Sequence, residues 1–181
     1  MSAGVSLPGF DSPAVGFDQP FEMLLACHDR VQRSLALLTK LIAHVEQHGH
    51  DEQSRSAAAD VLRYFELAAP RHHEDEERHV FPPLLAHGSL VLRTAVRALQ
   101  DDHQRMDALW TGLRPVLTGW SGPGAQGRVD ARLREDATRF RALYLKHIET
   151  EEGLVYPAAR KFMPADALHT MSQDMQARRQ H

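Results

Sequence analysis

Apolar side chains recur at alternating steps of three and four along four long stretches of this chain. Phe21, Leu24, His28, Val31, Leu35, Leu38, Ile42 and Val45 share one helical face, which predicts a first helix from near Pro20 to Gly49, a residue suited to ending it. The polar run 51–56 offers N-caps for a second helix reaching about residue 85, with an inner stripe of Leu62, Phe65, Ala69, His72, Glu76 and Val80. Pro70 inside that helix predicts a bend, and Pro82 and Pro83 predict a weakened final turn. A third helix carries Leu92, Val96, Leu99, His103, Met106, Trp110, Leu113 and Leu117, with Pro115 loosening its last turn. Loop-forming residues over 119–127 predict the next connection. The fourth helix presents Leu133, Ala137, Phe140, Tyr144, His147, Glu151, Val155 and Ala158, and ends near Phe162 before Pro164.

No strand pattern competes with these four stripes. Amphipathic helices joined by short connections predict an all-α fold, an up-down-up-down antiparallel four-helix bundle over residues 20–162. Residues 1–19, rich in glycine and proline and without period, are expected to form a mobile N-terminal arm, and 163–181 a C-terminal tail or short helix.

Each stripe is broken on its inner side by a polar residue, and the breaks repeat. His28, His72 and Glu76 recur as His103, His147 and Glu151, each displaced by 75 residues. The same offset pairs Leu24 with Leu99, Val31 with Met106, Leu35 with Trp110, Phe65 with Phe140, Glu77 with Glu152, Phe81 with Tyr156 and Pro82 with Pro157. A register that carries core, ligand-type and proline positions together points to two copies of one metal half-site. Burying a lone carboxylate or imidazole costs on the order of several kcal/mol, and six of them exceed a domain's stability of about 5–15 kcal/mol. A pair of cations offsets that cost. Residues four apart lie on one side of a helix, so His72 with Glu76, and His147 with Glu151, can each reach one ion, joined by His28 and His103. The predicted metal ligands are therefore His28, His72, Glu76, His103, His147 and Glu151. Mixed nitrogen and oxygen ligation favours iron, with manganese or zinc as substitutes.

Neighbouring groups need placing. His73 and Glu77 share the four-residue spacing, but an uninterrupted helix puts them on one face with Arg63, Glu66 and Pro70, a solvated surface. Asp107, one turn after His103, is left open between ligand, proton carrier and surface. Tyr144 is open between a hydrogen bond to the centre and core packing, and Cys27 points away from the neighbouring His28.

Composition narrows the rest. With 181 residues, 43% of them hydrophobic, the chain has the size of one domain with a full core. A net charge of −3 gives no reason to expect nucleic acid or an anionic membrane as partner. The single cysteine forms no internal disulfide, no signal peptide is evident, and no apolar run nears the roughly 20 residues of a membrane span. A cytoplasmic location is the expectation. Oligomeric state is undetermined.

Cys27-His28-Asp29-Arg30, the His72 to Glu77 block leading to Val80-Phe81-Pro82, Asp101-Asp102-His103, and the His147 to Glu152 block leading to Val155-Tyr156-Pro157 together resemble the hemerythrin HHE cation-binding domain family. The resemblance implies a four-helix bundle holding a non-haem di-iron centre, two iron ions bridged by the two glutamates and often by an oxo or hydroxo group. Oxygen-carrying members have a fifth histidine where this chain has Asp107, and an aspartate at the place of Glu152. The set of four histidines and two glutamates is similar instead to di-iron proteins that repair stress-damaged iron–sulfur clusters. Those carry an N-terminal cysteine-containing domain, whereas residues 1–19 hold no cysteine.

The expected function is a di-iron protein that binds, senses or reacts with oxygen, nitric oxide or peroxide. The alternatives are a di-iron enzyme activating oxygen or peroxide, or assisting iron–sulfur repair, and a stress-response partner or metal store with a structural centre.

Overall fold

Asp51, Ser89 and Asp130 each open a helix with the cap their side chains predict. The Asp51 carboxylate accepts from the Ser54 amide at 2.8 Å while the Ser54 hydroxyl accepts from the Asp51 amide at 2.9 Å, a reciprocal capping box. Ser89 and Asp130 accept from the amides of Leu92 and Leu133. The computed structural model describes Gly16 and residues 18–179. The arm predicted over 1–19 lies almost wholly outside these described residues.

Helix α1 is Pro20–His48, closed by Gly49 at a φ of 77°. Helix α2 spans 52–87 and α3 is Leu90–Ser121. Helix α4 spans 131–162, and a fifth helix, α5, is Ala165–Arg179. Among the described residues there is no strand, and no helix is long and apolar enough to cross a membrane. Helix α1 packs on α2 and α4, and α3 packs on the same two, closing a ring of four. The short connections at 49–51 and 88–89 leave successive helices antiparallel.

The prolines at which a bend and a weakened turn are expected coincide with changes of helical type. Helix α2 is interrupted by widened π turns at Tyr64–Ala68 and Glu76–Val80, and α4 by one at Glu151–Val155. Pro70, Pro82 and Pro157 each stand two residues after such a turn. A proline lacks the amide that would bond four residues back, and its ring collides with that carbonyl; one extra residue per turn moves the carbonyl aside. The rod continues instead of breaking. Pro115 sits within α3 without interrupting it, and α3 runs on to Ser121, so the next connection begins at Gly122 rather than Gly119. The inner stripe of α2 also shifts, because Val61 is fully buried and Leu62 only partly.

All eight predicted α1 positions are buried. The core divides into two apolar clusters. One, built around Leu35, Leu38, Phe65, Leu113 and Phe140, fills the end of the bundle near the α1–α2 connection. The other gathers Leu24, Phe81, Leu84, Leu99, Val155 and Met163 at the opposite end. The six polar positions lie in the layer between them.

Helix α5, expected as a tail or short helix, is a docked part of the fold. Met171 and Met175 are fully buried in the second cluster. Arg178 and Arg179 both donate to the carboxylate of Asp75, which has no exposed surface, and His79 meets Asp174 at 2.7 Å. Ion pairs of this kind at a buried acid are costly to break from one side. We expect Asp75→Asn to lower the unfolding free energy by about 2–3 kcal/mol in denaturant titration and to speed amide exchange across α5. Asp60→Asn, in an exposed pair with Arg63, should change stability by less than about 0.5 kcal/mol.

Candidate metal centre

Four helices each contribute to the central polar layer. His28 comes from α1, His72 and Glu76 from α2, His103 from α3, and His147 and Glu151 from α4. All six are at most 6% exposed. The structure gathers them into two sets, His28, His72, Glu76 and Glu151 in one and Glu76, His103, His147 and Glu151 in the other, with donor atoms in each set within 4.8 Å of one another.

The spacings match ligation. Two donors about 2.1 Å from one ion lie about 3.0 Å apart at a right angle and about 3.4 Å apart at the tetrahedral angle. In the first set, His28 Nε2 is 3.1 Å from His72 Nε2 and 3.1 Å from Glu151 Oε2, and His72 Nε2 is 3.4 Å from Glu76 Oε1. In the second, His103 Nε2 is 3.2 Å from His147 Nε2 and 3.4 Å from Glu76 Oε2, and His147 Nε2 is 3.0 Å from Glu151 Oε1. Each glutamate thus turns one oxygen to each set, the arrangement of a bridging carboxylate.

Two further carboxylates fix which nitrogens face inward. Glu152 Oε1 lies 2.8 Å from His28 Nδ1, and Glu77 Oε1 lies 3.0 Å from His103 Nδ1. A carboxylate accepts, so each Nδ1 carries the hydrogen and each Nε2 is left with its lone pair aimed at the centre. Glu76 Oε2 and both oxygens of Glu151 find no hydrogen bond there. Lone pairs converging on lone pairs in a dry layer call for a cation between them.

The electrostatics agree. Burial drives the His72 imidazole down to about 3 against the pull of Glu76, and burial likewise lowers His147. At His28, burial is outweighed by the close approach and charge of Glu151, with Glu76 and Glu152 adding, so its pKa rises. The two glutamates part company. Burial opposes the ionised form of Glu76, but His72 and His103 hold it well below the usual carboxylate range, whereas burial and the charge of Glu76 push Glu151 well above it. Both carry charge together only when positive charge sits between them.

The hemerythrin HHE cation-binding domain matches residues 19–159. The chain belongs to that family. An uncharacterised protein of Haemophilus influenzae is 34% identical to it over 164 residues, which cover 91% of this chain and 92% of that one. Membership implies cation binding, and the two histidine–glutamate sets of this hemerythrin-like domain fit a cation each by donor type and spacing.

Besides Glu152, three residues at this centre lie beyond the six predicted. His73, expected on a solvated face, is only 9% exposed and stacks on His103 with ring centroids 4.0 Å apart. Glu77, placed on the same face, reaches His103 as described. The face was drawn with an unbroken helical period, and the π turn at Tyr64–Ala68 inserts a residue between Arg63 and His73. The third is Tyr156, whose hydroxyl donates to Glu76 Oε1 and lies 3.1 Å from His28 Nε2. Burial and the charges of Glu151 and Glu76 push this phenol well above its ordinary pKa. Tyr144 packs against Phe65 and Phe140 in the first core cluster and stacks on His73 with ring centroids 5.8 Å apart. Signals for Glu77 and Glu152 stood in the 75-residue register itself.

Asp107 is exposed and lines a cleft of about 640 Å³ between α2 and α3, together with His73, Glu74, Glu77, Asp101 and His103. Cys27 is buried, and burial raises its thiol pKa. We expect Glu77→Ala and Glu152→Ala each to weaken cation affinity by about 10–100-fold in competition with a chromophoric chelator. Glu149→Ala, on the exposed side of α4 beside Lys146, should leave affinity unchanged.

Proposed function

We propose that this protein is a non-haem di-iron protein whose centre binds and reacts with oxygen, nitric oxide or peroxide as part of a stress response. The observation that carries the reading is the sharing of Glu76 and Glu151, one oxygen of each to either histidine pair. A donor set of four imidazoles and two carboxylates in a bundle core suits iron, with manganese or zinc as substitutes. When bound, the irons supply coordination positions and redox change for a small ligand. The chain's own residues do the rest. His28, His72, His103 and His147 offer Nε2, and Glu77 and Glu152 hold two of those rings in place. Val31, Leu24, Leu99 and Met106, each at most 1% exposed, flank His28 and His103 along their helices and exclude water. The cleft that reaches His103 and His73 is the route for a small polar molecule.

That cleft also favours a second reading, an enzyme that turns over peroxide or an organic substrate, or assists iron–sulfur repair. Asp107 and Glu77 lie on its wall and could move protons, whereas Tyr144 lies in the apolar core. Steady turnover lost in Glu76→Ala and retained in Glu149→Ala distinguishes an enzyme from a binding protein.

Elemental analysis of aerobically purified protein should find two irons per chain and a visible charge-transfer absorption that changes on reduction and exposure to nitric oxide. Glu76→Ala and Glu151→Ala should each lose most of the iron. Chelation of the wild-type protein should lower its apparent stability by about 4 kcal/mol where free metal had stood near a thousandfold over its dissociation constant. A colourless, iron-free protein would overturn the proposal.

A further inference from the structure

One matched pair of side chains at the centre differs by a single oxygen atom. The 75-residue register sets Phe81 against Tyr156, and both rings stack beside the histidine of the other half of the bundle. Phe81 lies parallel to His103, centroids 5.7 Å apart at 22°, and Tyr156 lies parallel to His28, centroids 5.4 Å apart at 13°. The surroundings differ further, because His73, stacked on His103, has Ile148 as its counterpart in the register. Where Phe81 ends in a carbon edge, Tyr156 ends in a hydroxyl that touches two of the four donor atoms of the first set, His28 Nε2 at 3.1 Å and Glu76 Oε1 within a hydrogen bond. The distance to His28 Nε2 falls in the 3.0–3.4 Å range that separates the donor atoms of these sets from one another.

We propose that Tyr156 is a fifth ligand of the first ion, through its phenolate oxygen, and that the two ions are therefore unequal. On coordination the O–H bond breaks, the oxygen–metal bond forms, and the proton leaves to solvent, as for other protonic ligands. The first ion then has two nitrogens and three oxygens from the protein, the second two nitrogens and two oxygens. The second ion is also the one whose His103 lines the cleft. An exogenous ligand accordingly binds at the ion held by His103 and His147, while the ion held by His28 and His72 is closed by the phenol. This assignment rests on the di-iron reading above.

The cleanest test uses the full chain, loaded with iron and oxidised in air, with iron content measured on the same sample. Resonance Raman excited in the visible band should show tyrosinate ring modes that shift in protein grown on ring-deuterated tyrosine. They should vanish in Tyr156→Phe and persist in Tyr144→Phe. Phenylalanine fits that place, since Phe81 fills its symmetric counterpart, so the variant should keep two irons. Mössbauer spectra should resolve two iron environments of equal weight in the wild-type protein, of which azide alters one, and the two should converge in Tyr156→Phe. Wild-type protein with two irons and no tyrosinate modes, or modes that survive Tyr156→Phe, would overturn the ligand assignment and leave the di-iron reading standing. A chain that takes up no iron overturns both. Because the wild-type isotope shift needs no variant, loss of folding in Tyr156→Phe does not protect the assignment.

Discussion

Two fully buried carboxylates that face one another set the terms for this bundle. Like charges about 4 Å apart repel by about 4 kcal/mol even at an effective dielectric of about 20, and each has also lost its water. Glu76 and Glu151 have no exposed surface, and among the described residues no arginine or lysine is buried beside them. The compensating charge has to arrive from outside the chain. Around that requirement the helices are arranged so that apolar clusters lie on either side, four imidazole nitrogens point inward, and two outer carboxylates keep them pointing. The other buried acid, Asp75, stands one residue before Glu76 and is met by the opposite solution, two arginines from α5.

The π turns connect backbone chemistry to this layer. Glu76 and Glu151 are each the first residue of a widened turn, and each turn is followed by a proline that a regular helix would not tolerate so easily. Proline and glutamate therefore belong to one local device: the extra residue makes room for the ring and resets the angular register just past the ligand. That is why His72 and Glu76 sit four apart on an ordinary helical face while Val80 and Phe81 beyond them both return to the core.

Much of this was legible from side-chain periodicity. The four helices, the bundle and the convergence of six donors followed from spacing and from the 75-residue repeat, because a buried stripe constrains the residue type at every turn. The failures share one cause. Leu62, His73 and Glu77 were assigned by extending a single period through residues 61–77, and the π turn at Tyr64–Ala68 breaks it. Tyr156 was visible as the partner of Phe81, but a hydroxyl on a core aromatic gives no sign of where it ends until the opposite helix is placed. Helix α5 offers only two buried side chains, Met171 and Met175, too few to announce a docked element. Its clasp on Asp75 spans about a hundred positions of chain.

The supporting carboxylates cross between the two halves of the chain. Glu77 of the first half steadies His103 of the second, and Glu152 of the second steadies His28 of the first. Neither hairpin holds a finished site: each brings two imidazoles, one bridging acid, and a brace meant for the other's histidine. Two copies of one such hairpin, related by a twofold axis, would have supplied every contact reciprocally. In chemical terms the chain is a self-complementary dimer written as one polypeptide, with a tyrosine on one side where the other has a phenylalanine.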